Sequence, residues 1–284
     1  MARRRRRRFP KVVAALAAAI VVVLIVRTVV AKPETAVPII PVDHCVAVAG
    51  AYSGSMNPEQ AGNAAIIVGE SIRRGLPARA ATIALVTAWQ ESSLRNLTYG
   101  DRDSLGLFQQ RPSQGWGTAD QIMDPWYSAG KFYDALVKVA NWQTGNINDV
   151  AQAVQRSGFP DAYAKHETAG RAWASNLTGQ TKGGLRCLSL HGSGGGADDL
   201  TALLAKVWGA KLKILREGET LHITAPDGVT AWAVGQLSLA RLQAFGVASV
   251  QVGALEWVNS GRALTGWVAP ATVMANTQVV VTTS

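Results

Sequence analysis

The chain is poor in the residues that most often hold metals or act as nucleophiles. Of its 284 residues only two are cysteine and four are histidine. His44, His166, His191 and His222 show neither an i, i+4 pair nor a cysteine-paired spacing, so the common zinc signatures are excluded and no metal or other cofactor is expected. No glycine-rich loop has phosphate-cradling spacing, and serine, histidine and aspartate fall in no triad arrangement. Aromatic residues make up only 7% of the chain, and no aromatic or glycine-rich nucleic-acid module accompanies its basic residues.

Positive charge is also scarce once the first residues are set aside. Residues 1–34 carry nine of the 28 Lys/Arg against Glu34 alone, and the remaining 19 Lys/Arg meet 18 acids. The formal charge of +9 is therefore a topology signal, and no nucleic-acid partner is expected. Six arginines at residues 3–8 and Lys11 precede an unbroken apolar run at residues 12–26, closed by Arg27. This pattern predicts an N-terminal transmembrane helix with a basic cytoplasmic tail over residues 1–31. Arg27 snorkels, membrane lipid is the partner, and everything after Lys32 lies outside the cell. A cleaved signal peptide is the rival, with Val29 and Ala31 before the cut, but Arg27 interrupts the approach to it. In an exported chain Cys45 and Cys187 are expected to pair; two separate buried thiols are the alternative.

Residues 32–56, with Pro33, Pro38 and Pro41, read as a spacer. Organised structure is expected from Asn57-Pro58-Glu59, which supplies a cap, a first-turn proline and an acid at the positive helix end. A second helix opens at Pro77, and between Ala80 and Trp89 only Thr82 and Thr87 are not apolar, so it is buried nearly all round. Asp124-Pro125 opens a third helix, and more follow at 149–157 and 161–176. The pattern predicts a mainly α domain over 57–187, a Gly-rich linker at 188–197, and a small α+β domain over 198–284. The last is read from a helix at 198–208, a strand pair around Glu217-Gly218, a helix at 230–245 and closing strands.

Glu91 stands near the C-terminal end of the buried helix, where apolar neighbours and the negative helix end both disfavour ionisation. A carboxyl still protonated near neutral pH is what a glycosidase uses to protonate a leaving sugar oxygen. A lone Glu at a helix end is more often merely solvated, and its surroundings decide the matter. Glu91-Ser92, the segment Gly106-Leu107-Phe108-Gln109, and the approach Tyr99-Gly100-Asp101-Arg102 resemble, in order, the motifs of the lysozyme-like superfamily. They are closest to the lytic transglycosylases and goose-type lysozymes, which cleave peptidoglycan glycan strands. The motifs lie within residues 89–109 and the wider resemblance covers 57–176.

The resemblance implies Glu91 as catalytic acid, with Ser92, Gly106 and Gln109 about the substrate. Ala153-Val154-Gln155-Arg156-Ser157 stands where transglycosylases commonly show Ala-Tyr-Asn-x-Gly, so Gln155 replaces the amide. Tyr163 is similar to the later tyrosine that contacts the acid. Each residue also has a plain structural reading: Gln109 bonding loop backbone, Gly106 making a turn, Ser92 capping the helix end. Trp116, with Trp126 and Tyr127, is either core or a sugar-stacking platform, and Trp116 is carried as substrate-binding. Asp101 and Asp103 decide the reaction. An inverting hydrolase needs a second carboxylate about 6.5–9.5 Å from the acid, the role expected of Asp101, whereas a transglycosylase needs Glu91 alone. Asp103 is assigned to substrate, and turn-capping is the alternative for both.

Residues 230–257 faintly resemble a domain of exported wall proteins related to zinc peptidases. Gln278 and Val280 occupy the positions of expected histidines, which leaves packing, wall contact or protein binding as its expected role. The expected function is peptidoglycan cleavage by a membrane-anchored extracytoplasmic domain, and the alternative is a catalytically idle wall-binding or scaffolding protein.

Overall fold

The computed structural model describes residues 42–158, 161–190 and 194–284. Its first element is a strand, β1 (His44–Ala49), in which Cys45 and Ala47 point inward while their neighbours are half-exposed, a period of two. β2 (Tyr52–Met56) returns antiparallel beside it, and β3 (Leu185–Leu188) pairs on the other side, giving the order β2-β1-β3. Cys45 lies opposite Cys187 in that register, and the two are joined by a disulfide.

This sheet corrects the reading of a mainly α domain preceded by a spacer up to residue 56. Residues 44–56 are strands, and with β3 they form a three-stranded antiparallel sheet. The stretch is rich in small residues, so burial of alternate Cys and Ala looks like linker composition; long-range pairing with β3 makes it a sheet. The transmembrane helix expected within residues 1–31 lies outside the described residues. Among those described, no helix is long and apolar enough to cross a membrane.

Helix α1 (Pro58–Arg73) starts in a reciprocal box: Asn57 Oδ1 accepts from the Gln60 amide and Gln60 Oε1 from the Asn57 amide, each at 2.9 Å. Helix α2 (Ala78–Ser92) is buried without a break from Ala80 to Ala88. The short α3 (Ala119–Met123), then α4 (Pro125–Leu136), α5 (Ile147–Gln155) and α6 (Glu167–Leu177) follow, and α2 packs against α1, α4, α5 and α6. The first sheet lies on α6. A Cβ on Gly54 would stand 2.6 Å from that of Ala169, so only glycine permits this approach. Fully buried Trp173 of α6 donates its indole N–H to the Gly54 carbonyl at 3.1 Å.

The remaining elements are α7 (Gly196–Trp208), β4 (Lys213–Glu217), β5 (Thr220–Thr224), α8 (Gly228–Ala240), α9 (Leu242–Phe245), β6 (Val247–Val252), β7 (Leu255–Val258) and β8 (Gln278–Thr283). The strands form an antiparallel sheet of order β4-β5-β8-β6-β7. α8 covers β6 and β8 on one side and meets α1, α6 and β3 on the other. At that junction Gln236, wholly buried, accepts from the Leu185 amide and donates to the carbonyls of Asn176 and Thr181. Residues on both sides of the Gly-rich segment therefore share one compact unit.

Candidate active site

α2 ends in a left-handed turn. Ser93 and Leu94 have φ of 54° and 58°, and the Leu94 amide closes on the Ala88 carbonyl at 3.1 Å. Leu94 itself is buried, and its packing holds a turn that glycine more often makes. The turn leaves Glu91 half-buried at the helix end. Next to it, the Ser92 hydroxyl is shared between the carbonyls of Ala88 at 3.0 Å and Leu107 at 2.7 Å. Ser92 thereby ties the loop of Gly106, Leu107, Phe108 and Gln109 against the end of α2.

Gly106 has φ of 75°, and a Cβ there would stand 2.8 Å from the Ile122 carbonyl. Its amide donates to the Leu97 carbonyl at 2.7 Å. Phe108 is buried and stacks on Phe132 with ring centroids 4.6 Å apart, while its carbonyl accepts from Gln155 Nε2 at 2.8 Å. The same Gln155 side chain hydrogen-bonds Glu91.

Tyr163 completes the cluster. Its ring is buried, and its hydroxyl donates to Glu91 Oε1 at 2.6 Å. Burial raises the Tyr163 pKa, and the hydrogen bond to Glu91 raises it further, so it remains a donor at any physiological pH. For Glu91 the largest influence is burial, which raises its pKa; the hydrogen bonds from Tyr163 and Gln155 pull in the other direction, and the net shift is upward. Among the described residues no ion pair reaches Glu91.

Glu91, Ser92, Gln155 and Tyr163 thus come together with the loop that carries Gly106 and Gln109, and Asp101 and Asp103 make their contacts elsewhere. Asp101 is exposed over 94% of its side chain and lies 4.0 Å from Arg102. Asp103 is committed to its own loop: it accepts from Arg111 Nε at 2.7 Å and from the Ser113 amide at 2.8 Å, which hold its pKa well below the usual carboxylate range. The Gln109 amide donates to the carbonyls of Tyr99 and Gly106, both at 3.3 Å. Trp116 lines an open groove of about 1200 Å³ that also includes Gln155. Trp126 instead packs against Gly69 and lies under Lys206 Nζ, 4.4 Å from its ring centre.

Sequence reasoning missed Asn148. Its Oδ1 accepts from the amides of Tyr163 at 3.2 Å and Ala164 at 3.1 Å, which sets the turn that delivers Tyr163 to Glu91. The available signal was the Asn-Ile-Asn start of α5, where one Asn caps the helix and the next is buried with no helical need for it.

Backbone strain gathers here too. Of the non-glycine residues with positive φ, Ser93, Leu94, Arg102 and Gln109 lie on the loops after α2, and Arg156 follows Gln155 directly. Such conformations cost about 1–3 kcal/mol each and persist where the surroundings enforce them, often at functional sites. No family model matches the chain, and no curated protein is significantly similar to it.

Proposed function

We propose that the protein cleaves the glycan strands of peptidoglycan, with Glu91 as its general acid and base. The observation that carries the reading is the Glu91–Tyr163 hydrogen bond at the end of a buried helix, beside a groove that Gln155 also lines. Because the Tyr163 hydroxyl occupies Oε1, the acid proton belongs on Oε2. That proton goes to the glycosidic oxygen as the bond from C1 to that oxygen breaks and positive charge grows on the sugar ring. The muramyl 6-hydroxyl then attacks C1 and returns its proton to Glu91, which leaves an anhydro end.

The transglycosylase course is proposed because it needs Glu91 alone, whereas hydrolysis asks for a second carboxylate, and Asp101, the candidate for it, is exposed and lies 4.0 Å from Arg102. The buried disulfide supports an oxidising, extracytoplasmic compartment, where peptidoglycan is found. The test incubates the purified protein with peptidoglycan and analyses the soluble fragments by mass spectrometry. Anhydro-ended muropeptides that vanish in Glu91→Gln are expected. Binding without any release leaves only a wall-binding module.

A further inference from the structure

The groove that begins at Gln155 is not electrically neutral. Lys131 and Lys138 stand on one wall with Asp134, and Arg156 on the other, next to Gln155. Asp134 is already matched, since Arg74 donates to its Oδ1 at 2.7 Å. Lys131 Nζ sits 5.4 Å from the centre of the Tyr127 ring. Lys138 and Arg156 are exposed and have no ion-pair partner among the described residues. Arg156 is also held in a left-handed conformation, φ 53°, where its amide closes α5 on the Gln152 carbonyl at 2.7 Å. The αL position fixes the direction in which this side chain leaves the backbone at the end of α5.

Resting on the glycosidase reading above, we propose that this groove selects glycan carrying carboxylate substituents, with Lys138 and Arg156 as the specificity-determining cations and Trp116 as the surface under the sugar. The groove offers a saccharide the half-buried Trp116 and two unmatched cations, and it shares Gln155 with the Glu91 cluster. A neutral oligosaccharide gains from these side chains only hydrogen bonds of a kind that Gln could also make; a strand bearing carboxylates gains charge attraction as well. In peptidoglycan the carboxylates come from two sources, the stem peptides and, where these have been removed, the lactyl groups of the muramyl residues. The groove chemistry is the same for both.

The test measures direct binding of the full chain, carrying Glu91→Gln so that nothing is cleaved, to three probes. These are peptide-bearing glycan, the same glycan stripped by an amidase so that lactyl carboxylates are exposed, and neutral N-acetylglucosamine oligomers. Tighter binding of either carboxylate-bearing probe than of the neutral oligomer is expected, and which of the two binds better identifies the source. Lys138→Gln with Arg156→Gln should weaken carboxylate-bearing probes about fivefold to tenfold and leave the neutral oligomer unchanged. Raising the salt should produce the same loss in the parent protein and little in the double variant. Both positions are exposed, and circular dichroism checks that the variant keeps its fold. Equal affinity for all three probes, or a preference that survives the double substitution, overturns the proposal. Because only binding is read, failure here is distinct from failure of the glycosidase reading, which is decided by release from the parent protein and its loss in Glu91→Gln.

Discussion

On the proposed reading Glu91 has to keep a proton that most surface carboxylates have lost, and its pKa is shifted in that direction. Helix α2 arranges this by carrying the acid out of a run of buried residues, and Tyr163 limits the effect by donating to Oε1. Replacement by Gln preserves shape but removes the proton, so Glu91→Gln should lose about 10²–10⁴-fold in muropeptide release with its fold intact. The linkage sign follows from the raised pKa. The folded carboxyl binds its proton more tightly than the unfolded one, so its contribution to stability is present below the ordinary glutamate range and is lost as pH rises through the folded value. Glu91→Gln should then match the parent in Tm at acid pH and exceed it at neutral pH, which scanning calorimetry at two pH values reads directly. Activity should fall along the same alkaline limb. Tyr163→Phe takes away a hydrogen bond that lowers the Glu91 pKa, so the limb should move to higher pH in a pH–rate profile; an unmoved limb would separate Tyr163 from the acid.

At the scale of elements, the site depends on how the end of α2 holds the Gly106–Gln109 loop. The Ser92 hydroxyl is the link, and Ser92→Ala strands the Leu107 carbonyl in a buried setting, a loss of about 1–3 kcal/mol that the urea midpoint should register. The strands β1 and β3 are held by a different kind of link. Cys45 and Cys187 are both fully buried and close a separation of 142 residues. Replacing both by Ala should cost up to about 5 kcal/mol, and the intact bond should resist reductant until the protein is unfolded, as thiol trapping would show.

Helices were legible in the sequence because their signals are local: Asn57-Pro58 and Asp124-Pro125 mark two starts, and the unbroken apolar run of α2 marks its burial. The grouping of Glu91, Ser92 and Gln155 was legible from the sequence about them, through Glu91-Ser92 and the segment at 153–157. β1 and β3 were not, because a run of small residues declares itself a strand only when it meets a partner far along the chain. The burial of Asn148 and the engagement of Asp103 with Arg111 were hidden for the same reason, since a polar residue in a loop carries no mark of whether its partner is water, backbone or substrate.

The whole molecule joins two stretches that composition separates at the Gly-rich segment. α8 supplies the junction, with one face on β6 and β8 and the other on α1, α6 and β3. Hydrophobic contact alone tolerates sliding, but Gln236 does not: its amide satisfies one backbone N–H and two carbonyls around Asn176, Thr181 and Leu185. α6, which carries Asn176, also packs on α2 and on the turn that follows Tyr163. The C-terminal sheet therefore braces the helix against which the acid and its tyrosine are set. Gln236→Leu keeps the volume but takes the side-chain partner from the Leu185 amide and the Thr181 carbonyl, while the Asn176 carbonyl keeps the Gly179 amide at 2.9 Å, at a cost of about 2–4 kcal/mol. Since the two stretches share one core, the variant should still melt in a single transition, at a Tm lowered by several degrees. Two separate transitions in calorimetry would instead show that the junction joins independent domains, and that the C-terminal sheet does nothing to hold Glu91 in place.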